Sequence, residues 1–532
     1  MTRLTELTRY DEAQSHFSKD ALWALFDGSR ERLNIAHECV DRHAGQGREA
    51  VLIAHADGRD ERIGFDELAA RSAQIAHWLD TQGIGRGERV AIMLEPSLAF
   101  YASLFGIMKA GAIAVPLFTL FGPDGLRLRV EDCQPRLLLC AEDKLEVARA
   151  SGVPRVMTGQ ALLDACADQR RHYQSDTSAD DLALFQYTSG TTRELPEAVQ
   201  HRHRSVVTVA IAALYGTGVR PGDRFMCPSS PAWGHGLAHG TLGPLGLGVT
   251  IASYAGAFDA RRLLLALRDY RINNLSAAAT HYRMMRQSQL AAAGTPEALA
   301  PDDFAIHKLS FTGEPMDSET ATWVERFFGR PACSIYGSTE VGVILTQYPG
   351  ADDFEVKRGA LGRPVPGIDV EVLDEQGKPC PPGVTGQIML RRRDGWFAIK
   401  DLGHRDADGD FYHDGRADDV IISAGYTISA KEVEDALLRH PEVREAAVVG
   451  SPDSLRGLVV KAFVVPYEHP DPARREARVE ALQAHVRQTL SAHEYPRRIE
   501  FVDALPKTPA GKVNRRVLRE QEASAAAEAA RP

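Results

Sequence analysis

The most chemically loaded stretch of the chain is Thr188-Ser189-Gly190-Thr191-Thr192, a set of hydroxyls around one glycine. It follows the apolar run from Leu182 to Phe185. A strand that ends in such a loop presents several backbone N–H groups and hydroxyls together, with little bulk. A polyphosphate needs such a surface. An ordinary surface turn has the same composition, so the loop gains meaning only through partners elsewhere in the chain.

The partners exist. The stretch from Tyr187 to His203, YTSGTTRELPEAVQHRH, resembles the phosphate loop of the acyl-adenylate-forming superfamily (acyl-CoA synthetases, luciferases, adenylation domains), whose usual form reads YTSGTTGxPKGVxHxH. Further blocks follow in the family's order to about residue 515, and weaker similarity begins near residue 65. The resemblance implies that Thr188 to Thr192 hold phosphates, with Thr191 among the catalytic groups. It implies that Gly313-Glu314-Pro315, in LSFTGEP, line one side of an adenine. In ACSIYGSTEVG, close to the family's YGxTE block, Tyr336 would offer its ring to the purine, with Gly337 and Ser338 beside it. Thr339 would reach the α-phosphate. Glu340 would be catalytic and hold Mg²⁺, which prefers oxygen ligands and substrate phosphates.

Asp401 fits the aspartate that bonds both ribose hydroxyls, Arg416 the arginine beside it, and Asp418 the hinge between two domains. Ser423-Ala424-Gly425-Tyr426 fits the glycine loop where a missing side chain lets the pantetheine of coenzyme A pass. Lys512, on the Gly511 turn of LPKTPAGKVNRRVLR, fits the catalytic lysine that bridges the substrate carboxylate and the α-phosphate. In isolation it reads as a solvated lysine in a basic tail.

The implied reaction has two steps. A carboxylate attacks the α-phosphate of MgATP, releasing pyrophosphate, and a thiol then displaces AMP from the acyl-AMP. By the same resemblance Trp233 sits at the aromatic substrate-pocket position, with His235 and Gly236 beside it. The alternatives are a core tryptophan among glycines and a structural histidine. Amino-acid-activating relatives carry an aspartate near the place of Ser229, which has no carboxylate. With length similar to medium-chain and aromatic acyl-CoA synthetases and shorter than acetyl-CoA synthetases, the chain reads as an acid–CoA ligase for a medium-chain or aryl acid.

Departures from the family pattern keep two rivals open. Arg193 replaces a glycine, one residue is inserted before Pro196, and Glu197 stands where the PKG lysine belongs. The expected TGD appears as Ile399-Lys400-Asp401. One rival is a non-catalytic nucleotide- or acyl-binding relative, against which Glu340, Asp401 and Lys512 speak. The other loads a separate carrier protein; no carrier domain follows, which favours free coenzyme A.

The elements that must position these groups read as α/β. Gly64 to Leu79 and Ala99 to Ala110 are helical in pattern, and Arg89 to Leu94, Ala112 to Leu117 and Arg136 to Cys140 strand-like. This predicts a large N-terminal domain, residues 1–416, of stacked, mostly parallel sheets with flanking helices plus a small β subdomain. Residues 417–532 form a small mobile α+β domain, with 521–532 a flexible tail. Leu309 to Pro315 and Ala332 to Gly342 should end at one sheet edge, where open α/β sheets bind ligands. Residues 1 to about 50 read as a lead that packs on the body. Phe225 to Gly248, rich in Gly and Pro, reads as a wall or turn.

Composition bounds the rest. At 532 residues the chain exceeds one core. A net charge of −10 argues against nucleic acid or anionic membrane as the main partner. Seven scattered cysteines without a CxxC suit a reducing compartment. The N-terminus has no secretory h-region, and the longest apolar stretch, Leu98 to Phe118, is interrupted by Lys109, Gly111 and Pro116, so no membrane span is expected. A cytoplasmic location follows, and the reading leaves room for a homodimer.

Overall fold

Short runs of Val, Ile, Leu and Ala alternate with apolar or amphipathic helices through the first two thirds of the chain, and this alternation sets the architecture. The computed structural model describes residues 3–187, 198–288, 290, 298–338, 341–416, 420–423, 426–453, 457–490, 495–507 and 513–529. The chain divides into two compact units, Met1–Ile368 and Asp369–Pro532.

One sheet of the N-terminal unit has the spatial order Val156–Thr158, Leu137–Cys140, Arg89–Met93, Ile113–Pro116, Leu182–Tyr187, Ala198–Arg202. Its neighbours are parallel except for the last pair, which is antiparallel. A second sheet runs through Ala360–Pro364, Gly342–Thr346, Cys333–Ser338, Lys308–Thr312, Asn274–Ala278, Arg224–Met226, Thr250–Ala255, Glu49–His55 and Asp60–Gly64. Its pairings from Cys333–Ser338 to Glu49–His55 are parallel, and the flanking ones antiparallel.

The period-2 alternation of strand side chains divides the cores. Val90, Ile92, Leu137 and Leu139 from the first sheet share one core with Val51, Ile53 and Ile251 from the second. The intervening residues Ala91, Met93, Leu138 and Cys140 face a separate core with Leu126 and Val130. Leu52, Ala54 and Ala252 face another, with Leu263 and Leu267. Both sheets are thus covered on both faces. The helices Phe65–Thr81 and Leu98–Lys109 meet where Gly106 lets their backbones approach: a Cβ there would lie 2.8 Å from Ile75 Cβ and from Ser72 O. The N-terminal lead does pack on the unit, with Tyr10 edge-on to Tyr348 and Phe354.

The C-terminal unit begins with an antiparallel meander, Val370–Leu373, Gly386–Arg392, Gly395–Arg405 and Phe411–Arg416. A five-stranded sheet follows, built on the long pair Val443–Asp453 and Gly457–Pro466. Val448, Val460, Ala462 and Val464 pack under Val433, Leu437, Leu482 and Val486 from the helices Ala430–Leu438 and Arg475–Thr489. Ala447, Val449, Phe463 and Val465 face the other way, against Leu518 of the helix Arg515–Ala529.

Three details differ from expectation. Residues 235–246, read as a wall or turn, are helical, first in wide turns over His235–Leu242 and then over Gly243–Gly246. Glycine permits rather than forbids helix here, because the packing leaves no room for a Cβ at Gly236, Gly240 or Gly243. Residues 521–529, read as a frayed helix end or a flexible tail, continue the last helix. Ala and Glu are good helix formers, and Glu522 is buried against Ser451 (2.6 Å) and Lys461 (2.6 Å). The meander, expected with the N-terminal domain, groups by its contacts with the C-terminal unit.

Candidate active site

In the N-terminal unit the two turn-forming blocks leave the sheet together. Lys308–Thr312 and Cys333–Ser338 are parallel neighbours, with Ser310 opposite Cys333, and the Thr312 hydroxyl donates to the Ile335 carbonyl at 2.9 Å. The chain then turns at Gly313, whose φ of 96° is left-handed and suits glycine. A Cβ on Gly313 would stand 3.2 Å from Cη2 of Trp233. The predicted pocket tryptophan therefore packs on the predicted adenine block, some eighty residues away in sequence.

The Glu314 carboxylate accepts the Thr280 hydroxyl and pairs with Arg283 at 3.5 Å. Its side chain is engaged in tying the turn to the helix Ala279–Arg286, which leaves the backbone of 313–315 to line a ligand. Pro315 is exposed. Tyr336 is half-buried in register with Leu345. Gly337 touches the neighbouring strand so closely that a Cβ would lie 1.9 Å from Gly342 O, and Ser338 is exposed. Thr339 and Glu340 lie outside the described residues. Among the described residues, no group of three His, Cys, Asp or Glu side chains could hold a metal.

Beside Trp233 stands a row of imidazoles. The His235 ring is edge-on to Trp233 at 5.5 Å and to His239 at 5.6 Å. Ser229 Oγ lies 2.9 Å from His235 Nδ1, and Ser276 Oγ lies 2.8 Å from Nε2. Burial holds the His235 pKa well below its usual value and takes His239 and His281 down to about 4. All three are neutral at pH 7, and His281 packs against Phe258 at 4.7 Å. Both ring nitrogens of His235 are occupied, so its geometry is that of the structural alternative. Gly236 serves packing, since a Cβ would meet Ser230 O at 2.2 Å and Ser229 O at 2.3 Å. Sequence reasoning missed Ser276 and His281, which share no motif with His235 and are brought near it only by the fold.

The two ends of the predicted phosphate loop are anchored. Tyr187 faces Ala198 across an antiparallel pair. The Tyr187 hydroxyl donates to Asp132 Oδ2 at 2.6 Å. His203 Nδ1 accepts the Ile35 N–H at 3.0 Å. The strand Ala198–Arg202 lies inside the stretch read as loop; its Gln-His-Arg sequence carries no apolar alternation. Thr188, Ser189, Gly190, Thr191 and Thr192, with Arg193 and Glu197, lie outside the described residues.

In the C-terminal unit Asp401 and Arg416 are directly opposite on neighbouring strands. Asp401 is buried, and His413 Nε2 lies 3.8 Å from its Oδ1. Ser423 and Tyr426 pair across a hairpin. Asp418, Ala424, Gly425 and Lys512 lie outside the described residues, as do the side chains of Arg416, Ser423 and Tyr426. Lys507 and Val513 form an antiparallel bridge, and the Asn514 N–H donates to Pro506 O at 2.7 Å.

Comparison with known proteins gives two family matches, "AMP-binding enzyme" over residues 40–395 and "AMP-binding enzyme C-terminal domain" over residues 432–512. The acetyl-coenzyme A synthetase of Bacillus subtilis (strain 168) is 30% identical over 96% of this chain and 95% of that protein. The 3-hydroxybenzoate–CoA ligase of Aromatoleum sp. (strain CIB) is 31% identical over 92% of this chain and 97% of that protein. Among solved structures, an acyl-CoA synthetase of Brucella canis superposes with a TM-score of 0.73 at 31% identity, covering 97% of this chain and 99% of that one. With an acetyl-CoA synthetase matched nearly end to end, length does not separate acetate from larger acids. No helix among the described residues is long and apolar enough to cross a membrane.

Proposed function

Because this chain belongs to the AMP-binding enzyme family, we propose that it joins a medium-chain or aromatic carboxylic acid to coenzyme A through an acyl-AMP intermediate. The observation that carries the choice of acid is the contact of Trp233 with Gly313. It sets an aromatic wall beside the turn assigned to the adenine. The neighbouring imidazoles are neutral, so the wall offers no charge to an α-amine, and Ser229 is hydrogen-bonded to a histidine instead of standing as a carboxylate.

In the first step the acid's carboxylate oxygen bonds to the α-phosphorus of ATP as the bond to pyrophosphate breaks. In the second, the thiol sulfur bonds to the acyl carbon, AMP leaves and the thiol proton is released. No protein nucleophile is needed, so the residues act by positioning and by neutralising charge. Tyr336 and the 313–315 backbone hold the purine. Gly337 keeps that strand close to its neighbour, and Asp401 takes the ribose. Thr188 to Thr192 and Thr339 surround the phosphates, with Thr191 next to the reacting bond. Lys512 draws the carboxylate and the α-phosphate together. Glu340 is the residue to hold Mg²⁺, which supplies countercharge to the leaving pyrophosphate when bound. Ser423 to Tyr426 admit the pantetheine, and Asp418 is the hinge. The family matches end at 395 and resume at 432, leaving room between them for the boundary at 416/417. A cytoplasmic location and a homodimer complete the reading.

Incubation with ATP, Mg²⁺, coenzyme A and single acids, with acyl-CoA detected by mass spectrometry, tests it. Hexanoyl-, octanoyl- or benzoyl-CoA is the expected product class. Product from acetate alone would overturn the choice of acid. Acid-dependent pyrophosphate release without any acyl-CoA would point to a carrier protein as acceptor.

A further inference from the structure

Two imidazoles near His235, those of His239 and His281, are not accounted for by the packing of the N-terminal unit. After burial, the charges they would carry are the next influences that lower the pKa of His235. They stand with the pocket tryptophan at the carboxyl ends of neighbouring parallel strands. Trp233, His235 and His239 follow Arg224–Met226, Phe258 follows Thr250–Ala255, His281 follows Asn274–Ala278, and Gly313 follows Lys308–Thr312. Open α/β sheets bind ligands at such an edge. Burial lowers His239 and His281 to about 4, yet both rings and that of Trp233 keep part of their surface exposed. A ring that is desolvated and still open to solvent lines a recess, whereas a core ring would be closed off.

The protein does not satisfy these rings. His239 has no hydrogen-bond partner among the described residues, and its Nδ1 is buried. The Ala278 N–H donates to His281 Nδ1 at 3.2 Å, which puts the proton of that neutral ring on Nε2. The Nε2–H finds no acceptor among the described residues. Polar groups in such surroundings are rarely left without partners. His281 thus offers a hydrogen, and the unprotonated nitrogen of His239 accepts one. A hydroxyl matches both, since it donates and accepts; a carbonyl only accepts, and an alkyl chain does neither. Two neutral rings give no countercharge to a second carboxylate. Phe258, 4.7 Å from His281, and Trp233 add flat apolar surface, which suits an aromatic ring.

We propose that His239 and His281 are substrate-binding residues of the acid pocket, and that the acid they select is an aromatic acid bearing a ring hydroxyl. This rests on the reading of Trp233 as a wall of that pocket. The hydroxyl oxygen accepts from His281 Nε2, and its hydrogen goes to His239.

Acyl-CoA formation from benzoate and from its three ring-hydroxylated isomers, compared as kcat/KM, tests this. The best hydroxybenzoate is expected to exceed benzoate about 10- to 100-fold, because benzoate leaves both imidazoles unpaired. His239→Leu and His281→Leu are each expected to shrink that preference to about 3-fold or less. His281→Gln, which keeps a donor, should retain part of it. The ratio is taken within one protein, so partial loss of folded enzyme cancels. For a variant without turnover, calorimetric binding of the same acids gives the ratio. Benzoate used as well as every hydroxybenzoate, or a preference that neither leucine variant reduces, would overturn the assignment and leave the functional reading in place. Hexanoate used while no hydroxybenzoate is used would do the same. Acyl-CoA from no acid at all would remove both.

Discussion

The contact between Trp233 and Gly313 joins the residue assigned to the acid with the turn assigned to the nucleotide. Gly313→Ala would place a methyl on a left-handed backbone and press it on the indole. The expected cost is about 1–2 kcal/mol of stability and a several-fold rise in KM for the acid. Steady-state kinetics on the purified variant checks this, and an unchanged KM would remove Trp233 from the pocket. His235 makes a different prediction. With both nitrogens on serine hydroxyls, His235→Leu strands Ser229 and Ser276 in a buried place, at a cost of about 2–4 kcal/mol in urea unfolding. The strand entering a turn at Gly313 was legible because a strand run closed by Gly-Glu-Pro is a local signal. Contacts set by the fold, such as Ser276 with His235, carry no sequence signal.

At the scale of elements, the parallel strands were legible because they are short runs of branched and aliphatic residues, and each strand divides its side chains between two cores. The helix through His235–Leu242 was not, since Gly236, Gly240, Gly243 and Gly246 read as breakers. The role of the first three is close approach. A Cβ on Gly236 has backbone carbonyls within 2.3 Å, and one on Gly240 would meet Cys227 Cβ at 2.9 Å. Backbone cannot step aside as a flexible side chain can, so Gly236→Ala should cost about 3 kcal/mol or more. Gly122→Ala is its control, because nothing lies within 4 Å of the added atom and that residue's φ of −74° is open to alanine. Comparison of their melting temperatures is the check, and equal losses would show that crowding at Gly236 is not the cause.

The whole molecule carries a dependence on acid. Burial takes the pKa values of His43, His203, His239 and His281 to about 4. These imidazoles stay neutral in the folded chain, whereas unfolded ones protonate near 6.5. The unfolded state therefore binds more protons below pH 6.5, and stability is lost as the pH falls from there towards 4. Each fully buried histidine contributes about 1 kcal/mol to the loss at pH 5.5. Asp60 and Asp353, held below their usual value, act only at lower pH, where their contribution disappears. Melting temperature between pH 7.5 and 5.5 should fall steadily, and His203→Gln should flatten that slope. A flat profile in the unaltered protein would contradict the neutral assignment.

Those buried imidazoles belong to the scaffold; the proposed chemistry is assigned to Lys512. The most direct measurement is pyrophosphate release with ATP, Mg²⁺ and a substrate acid, for the unaltered protein beside Lys512→Ala. Acid-dependent release that falls by at least about 100-fold in the variant, with ATP binding retained, is the predicted result. Equal release by both proteins, or no release by the unaltered protein with any acid despite ATP binding, would contradict the account.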